Sequence, residues 1–237
     1  MTTATVPLDA PADTRMMGIV HSALRRDLRR AQVLLTEVPD LDEDRREALA
    51  DHLLWCMAFL HHHHTGEDDG LYPLVVLQNP DSAELVADMD RDHEAIVPAM
   101  GGLEAAAREY RSSGSSANLL EALASLCDVL LPHLRREELE MMPVVSASIT
   151  EAQWRAWTEG LKRTKLGELA FEGHWLLDGI DAEGRAHLLT MVPAVPRFML
   201  VHLLGGPYRR RVTRLWVGTS AGGLGAQTVE SAPRGLT

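Results

Sequence analysis

Four stretches of this sequence set apolar side chains at alternating steps of three and four residues, and each carries a histidine within that stripe. On an α-helix this spacing stacks side chains along one face, so each stretch must bury that face against a neighbour. The first runs from about Thr14 to Leu35 through Met17, His21, Leu24, Leu28, Ala31 and Leu35. The second starts near Asp42, passes His52, Cys56, Phe59, His63 and Glu67, and is predicted to end at Pro73. The third carries Val86, Met89, His93, Ile96, Met100 and Leu103, with Pro98 inside it as a point of bending. The fourth aligns Leu119, Leu123, Leu126, Leu130, His133 and Glu137, contains Pro132, and is predicted to end at Pro143. Turn formers at 38–40, 79–81 and 112–116 separate them. Four helices of roughly 20–30 residues with short connections predict an all-α chain built on an antiparallel up-down four-helix bundle.

The bundle is expected over residues 15–145, after a flexible leader at 1–14 that is rich in Thr, Pro, Ala and Asp. A helical C-terminal extension is expected at 146–217 and a disordered tail rich in Gly, Ser, Ala and Thr at 218–237. Within the extension, a helix over Glu151 to Lys165 is predicted to open with a capping box between Ser148 and Glu151. Further helices follow at about Asp181 to Leu189 and Arg197 to Trp216, the latter interrupted near Gly205, Gly206 and Pro207. Trp154, Trp157, Trp175 and Trp216 make the extension aromatic-rich, which suits packing on the bundle or on a second copy in a homodimer. Arg209, Arg210, Arg211 and Arg214 read as a solvated helix face.

The formal charge of −11 argues against nucleic acid or an anionic membrane as a partner, because either needs a basic face. No basic segment followed by an apolar one opens the chain, so a cytoplasmic location is expected. No uninterrupted apolar run reaches the roughly 18–20 residues of a membrane span. Cys56 and Cys127 lack the paired spacing of a disulfide or thiolate metal site and are expected to remain thiols.

The histidines turn packing into chemistry. His21 stands alone on its helix and His63 is followed four residues later by Glu67; His93 again stands alone and His133 is followed four residues later by Glu137. His21 precedes His63 by 42 residues and His93 precedes His133 by 40, so the two halves carry the same parts. Residues four apart share a helix face, so each His-x-x-x-Glu pair offers an imidazole and a carboxylate to neighbouring positions. A carboxylate has two oxygens and can bridge two cations, so two bridges and four histidines suffice for a metal pair. Six polar side chains in a bundle core would otherwise cost about 1–3 kcal/mol each in desolvation. Imidazole with carboxylate and no thiolate suits iron, manganese or zinc.

Within the run His61, His62, His63 and His64, successive helical residues point about 100° apart, so His63 alone is in register with Cys56, Phe59 and Glu67. His64, one step away, suits a secondary ligand or a supporting hydrogen-bond donor, whereas His61 and His62 read as packing or solvent-facing residues. Asp68 is placed to orient a ligand histidine, or else to sit on a solvated helix end; Tyr72 lines the site or simply packs.

At the segments HHHHTGEDDGLYP and LPHLRREELEMMP, each preceded by a lone helix histidine, the chain resembles the hemerythrin-like, or HHE cation-binding, family over about residues 14–145. The resemblance implies a four-helix bundle holding two iron ions with an oxo or hydroxo bridge. It carries the bridging carboxylates onto Glu67 and Glu137, with His21 and His63 as terminal ligands of one iron and His93 and His133 of the other. The sequence departs from the oxygen-carrying members, whose third helix supplies two histidines four residues apart. Met89 stands where one of those would be. The fourth-helix motif is also His-x-x-x-Glu, where the carriers use a longer spacing ending in Asp.

A missing imidazole leaves one iron with fewer protein ligands, so water, another residue or a small exogenous molecule can fill the vacancy. The expected function is therefore a non-haem di-iron protein that binds or reacts with oxygen, nitric oxide or peroxide. The alternative is an iron or redox sensing or storage protein that signals through its C-terminal extension.

Overall fold

The computed structural model describes residues 6–161, 165–192 and 194–226. The regular elements among them are helical, as the periodicity demands, and no strand occurs among the described residues. They fall into two compact units, one built from the described residues of Met16–Pro39 and Arg163–Thr237, the other from those of Thr2–Arg15 and Asp40–Lys162.

In the second unit, α2 (Glu43–Gly66) opens at Asp42, whose carboxylate accepts the Arg45 backbone N–H. It does not stop at Pro73. A five-residue turn of π-helix, Glu67–Leu71, leads straight into α3 (Tyr72–Gln78). In that wider turn the Tyr72 N–H reaches the Glu67 carbonyl, five residues back, and Pro73, which has no N–H to give, falls at the start of the next helix where none is needed. The same device recurs in the other half. After α4 (Ala83–Ser113), which ends at the left-handed Gly114, α5 (Ala117–Arg136) runs through a π turn at Glu137–Met141 into α6 (Met142–Ser148), with Pro143 just past it. Each proline lies six residues after the motif glutamate, so both were read as helix ends when they mark widened turns.

α2 packs on α4, and α4 on α5. Leu49, Leu53, Leu60, Ile96, Leu103, Leu119, Leu123, Leu126 and Leu130 supply the apolar core. The stretch Ala117–Ser148 is, by length and composition, long and apolar enough to cross a membrane, although no segment was expected to be. Its apolar stripe from Leu119 to Leu134 is buried within the protein.

The predicted capping box shifts by two residues. Ser148 closes α6; Thr150 and Gln153 make the reciprocal bonds instead, Gln153 N–H to Thr150 Oγ1 at 3.3 Å and Thr150 N–H to Gln153 Oε1 at 2.9 Å, and α7 (Glu151–Leu161) follows. The leader is not loose where it is described. The carbonyls of Ala10 and Leu8 accept the N–H groups of Glu151 and Ala152, two donors that a helix start otherwise leaves unsatisfied. Of the expected continuation to Lys165, residues 162–164 lie outside the described residues, and Lys165 itself is the N-cap of the next helix, Leu166–Leu177.

The first unit joins α1 (Arg15–Glu37) to α8 (Leu166–Leu177), α9 (Ala182–Thr190), α10 (Ala194–His202) and α11 (Gly206–Trp216). α1 is buried almost all round, with Arg25, Arg26, Asp27 and Arg30 as inaccessible as Leu24 and Leu28. Charge pairing makes this tolerable. Asp27 accepts from Arg26 Nε at 2.7 Å and from the Trp175 indole at 2.8 Å, while Arg26 Nη1 donates to the Trp175 carbonyl at 3.0 Å and to that of Asp178. Arg30 reaches the Asp178 carboxylate and, at 2.7 Å, the Leu224 carbonyl, and Tyr208 donates to Asp178 at 2.9 Å. Residues 218–226, expected to lack order, hold a turn at Ser220–Gly223 and a bond from Ala226 N–H to the Gly179 carbonyl at 2.8 Å. The remainder of that stretch, 227–237, lies outside the described residues. Arg209, Arg210 and Arg214 are exposed, while Arg211 lies over the Phe171 ring, 4.8 Å from its centroid.

Candidate metal centre

Each motif glutamate is the first residue of a π turn, and each motif histidine lies in the last α-helical turn before it. The register places His63 Nε2 3.1 Å from Glu67 Oε1 and His133 Nε2 3.7 Å from Glu137 Oε2. Both carboxylates are completely buried. His63 also brings a ring nitrogen within 4.8 Å of a Glu137 oxygen, so the two halves of the sequence meet at their carboxylates.

His93 on α4 is aimed at the same place. Its Nε2 lies 3.1 Å from His133 Nε2 and 3.8 Å from Glu67 Oε2. Two imidazole nitrogens facing each other at this distance suit a shared cation, since nitrogens each ~2.1 Å from one ion stand about 3–4 Å apart. The opposite ring nitrogens face carboxylates: His93 Nδ1 meets Asp68 Oδ1 at 2.6 Å, and His133 Nδ1 meets Asp92 Oδ2 at 3.5 Å. A carboxylate on the far nitrogen holds the ring in orientation and raises its basicity toward a metal. Asp92 in turn is held by Arg136, 3.1 Å away, which also reaches Asp88 at 3.1 Å.

The electrostatics fit a cation. Burial pushes both carboxyls above the ordinary carboxylate range, and Glu137 and Asp68 raise Glu67 further. His93 and the hydrogen bond from Tyr72 act the other way on Glu137, yet burial prevails. Two carboxylates desolvated beside one another favour protons or a cation over bare negative charge. The Tyr72 phenol donates to Glu137 Oε1 at 3.2 Å, and its ring lies parallel to that of His93 with centroids 5.8 Å apart. Of the two readings of Tyr72, lining the site is the one the geometry matches.

Of the residues singled out from sequence, His63, Glu67, His93, His133 and Glu137 come together in the second unit; His21 is buried on α1 of the first. Asp68 takes the orienting position at His93. His61 and His62 are exposed, with His62 Nε2 3.1 Å from the Leu161 carbonyl. Asp92 and Arg136 were overlooked, although Asp92 directly precedes His93 and Arg136 directly precedes Glu137. The predicted helix α7 makes a contact that was not foreseen, at the start of the first π turn: the Trp157 indole donates to the Gly66 carbonyl at 2.9 Å.

Cys56 and Cys127 form no disulfide, and Cys56 Sγ lies 3.8 Å from His52 Nε2. Comparison with curated proteins and with solved structures gives no match. The family model of the hemerythrin HHE cation binding domain matches residues 14–145, a span that holds every residue of the constellation. With its all-helical fold and its buried histidine and glutamate groups able to hold a metal, the chain belongs to the hemerythrin HHE cation-binding family.

Proposed function

We propose that this protein is a non-haem di-iron protein that binds or reacts with a small oxidant: oxygen, nitric oxide or peroxide. The observation that carries the reading is the pair of fully buried carboxylates, Glu67 and Glu137, with imidazoles of His63, His93 and His133 directed at them. From the family resemblance the reading takes an antiparallel four-helix bundle and His21 as a further ligand. Glu67 and Glu137 would hold both metals and the histidines one each, while bound iron would supply electrons to a small oxidant.

Access is consistent with a small visitor. An open cavity of about 430 Å³ is lined by Asp68, Tyr72, Pro73, Val76, Leu77, Val86 and Asp90. Asp68 and Tyr72 are the side chains that touch His93 and Glu137, so the cavity ends on the two residues that support the centre. Its other walls are mostly apolar, which disfavours large polar substrates. Metal analysis with an ultraviolet-visible spectrum tests the reading. Protein loaded with iron should hold two ions per chain, show ligand-to-iron charge-transfer absorption, and respond to oxygen, peroxide or nitric oxide; a chain that holds iron and responds to none of them rules the reading out.

One observation favours sensing as a second reading. α1, which carries His21, is tied to the C-terminal segment: the Trp175 indole donates to Asp27, Arg26 donates to the Trp175 and Asp178 carbonyls, and Arg30 donates to the Asp178 carboxylate and the Leu224 carbonyl. Metal occupancy felt by α1 would then reach α8 and α11. Amide exchange in Leu166–Leu177 and Gly206–Trp216 should accelerate on metal removal, and unchanged exchange there would remove this reading.

A further inference from the structure

Helix α2 carries two adjacent buried histidines at its C-terminal end, and they address different partners. His63 turns to Glu67 of its own helix. His64, which the helical stripe places off the axis, is even less exposed, at 5% against 8%. Its ring lies 4.0 Å from that of His93 with an interplanar angle of 11°, and edge-on to His133 at 5.3 Å. One ring nitrogen from each of His64, His93 and His133 falls within 4.8 Å of the other two.

We propose that His64 is a ligand of the metal held by His93 and His133, supplying from α2 the third imidazole that Met89 withholds on α4. The inference rests on the di-metal reading above. Three imidazole nitrogens this close together are a metal-binding arrangement in their own right, and a separation of up to 4.8 Å exceeds the ~4.2 Å span of two opposed nitrogens on one ion by only a few tenths of an ångström. The position four residues before His93 shares its helix face, and there the chain has the wholly buried Met89, whose thioether is a poor partner beside imidazole and carboxylate for iron. His64 restores the donor type from the opposite side. The two metals are then unequal in a way opposite to a simple vacancy: the His93 and His133 metal is filled by a third imidazole, and the open position moves to the metal that takes His63.

A purely structural His64 would stack on His93 and nothing more, so the test separates stacking from ligation. Metal-free protein is titrated anaerobically with cobalt(II), comparing wild type, His64→Ala and His64→Phe; phenylalanine keeps a flat ring against His93 and removes the nitrogen. Wild type should take up two ions. Both variants should bind the first as wild type does and the second about 10-fold or more weakly, with loss of one hyperfine-shifted imidazole N–H resonance. A His64→Phe protein that binds both ions with wild-type affinity and keeps every such resonance overturns the proposal. Should the variants not fold, wild type still decides: the di-cobalt form should show one more imidazole N–H than His21, His63, His93 and His133 account for, and no extra resonance overturns the assignment. Wild type that takes up fewer than two ions defeats the di-metal reading itself.

Discussion

Asp68 Oδ1 lies 2.6 Å from His93 Nδ1, and this contact aims His93 Nε2 at His133 Nε2, 3.1 Å away. Asp68→Asn keeps the shape and removes the charge that orients the ring and raises its basicity. Metal affinity should fall about 10–100-fold, read by competition with a chelator, while Asp69→Asn, an exposed neighbour, leaves it unchanged. Equal affinities for Asp68→Asn and wild type would show that the contact does not tune the site.

All three tyrosines have phenol pKa values raised above the usual 10, in each case first by burial. Glu137 adds to this at Tyr72 and Asp27 at Tyr208. The folded chain keeps these protons where the unfolded chain gives them up, so their contribution to stability is complete below pH about 10 and is lost as pH rises beyond it. Tyrosinate absorbance at 295 nm should stay flat through pH 10 and then rise together with loss of helical circular dichroism. A gradual rise centred at pH 10 with helicity intact would contradict this.

The bond from the Trp157 indole to the Gly66 carbonyl clamps α7 over the start of the first π turn. Trp157→Phe should lower unfolding free energy by about 0.5–1.5 kcal/mol, measured in urea. Gly66→Ala should be less stable than Gly160→Ala, another helical glycine but one where a Cβ meets nothing within 4 Å, because the Cβ at 66 would run into Leu161 Cδ2 and displace that side chain. A Gly66→Ala protein as stable as Gly160→Ala would mean that α7 is not held there.

Asp27 is enclosed by Arg26, Arg30 and Trp175. Asp27→Ala leaves two buried guanidinium groups without that carboxylate and should destabilise by about 3–5 kcal/mol, followed by the urea midpoint of tryptophan fluorescence. Glu37→Ala, which removes an exposed carboxylate bonded to Ser220, should move the midpoint far less. Comparable shifts would argue against the buried network as what holds α1 to the C-terminal helices.

The sequence by itself determined the four long helices and the two His-x-x-x-Glu pairs, because both are local, whereas α8 went unread. A period of 3.6 residues puts Glu67 one turn beyond His63, and Glu137 one turn beyond His133, whatever else the chain does. Asp68 was open between an orienting residue and a solvated helix end, and its contact with His93, which lies on α4, comes only with the tertiary structure. Tertiary structure decided what depends on other helices. Pro73 and Pro143 read locally as stops, and only the π turns let the helices pass them. The register of one helix sets His63 inward and His64 aside, whereas His93 on α4 and His133 on α5 pack against His64 and bury it as well. Asp92 gains its meaning from α5, where Arg136 fixes it behind His133. Local spacing orders side chains along one helix, but which side chains share a cation is a matter of distance between helices, and that is set by packing.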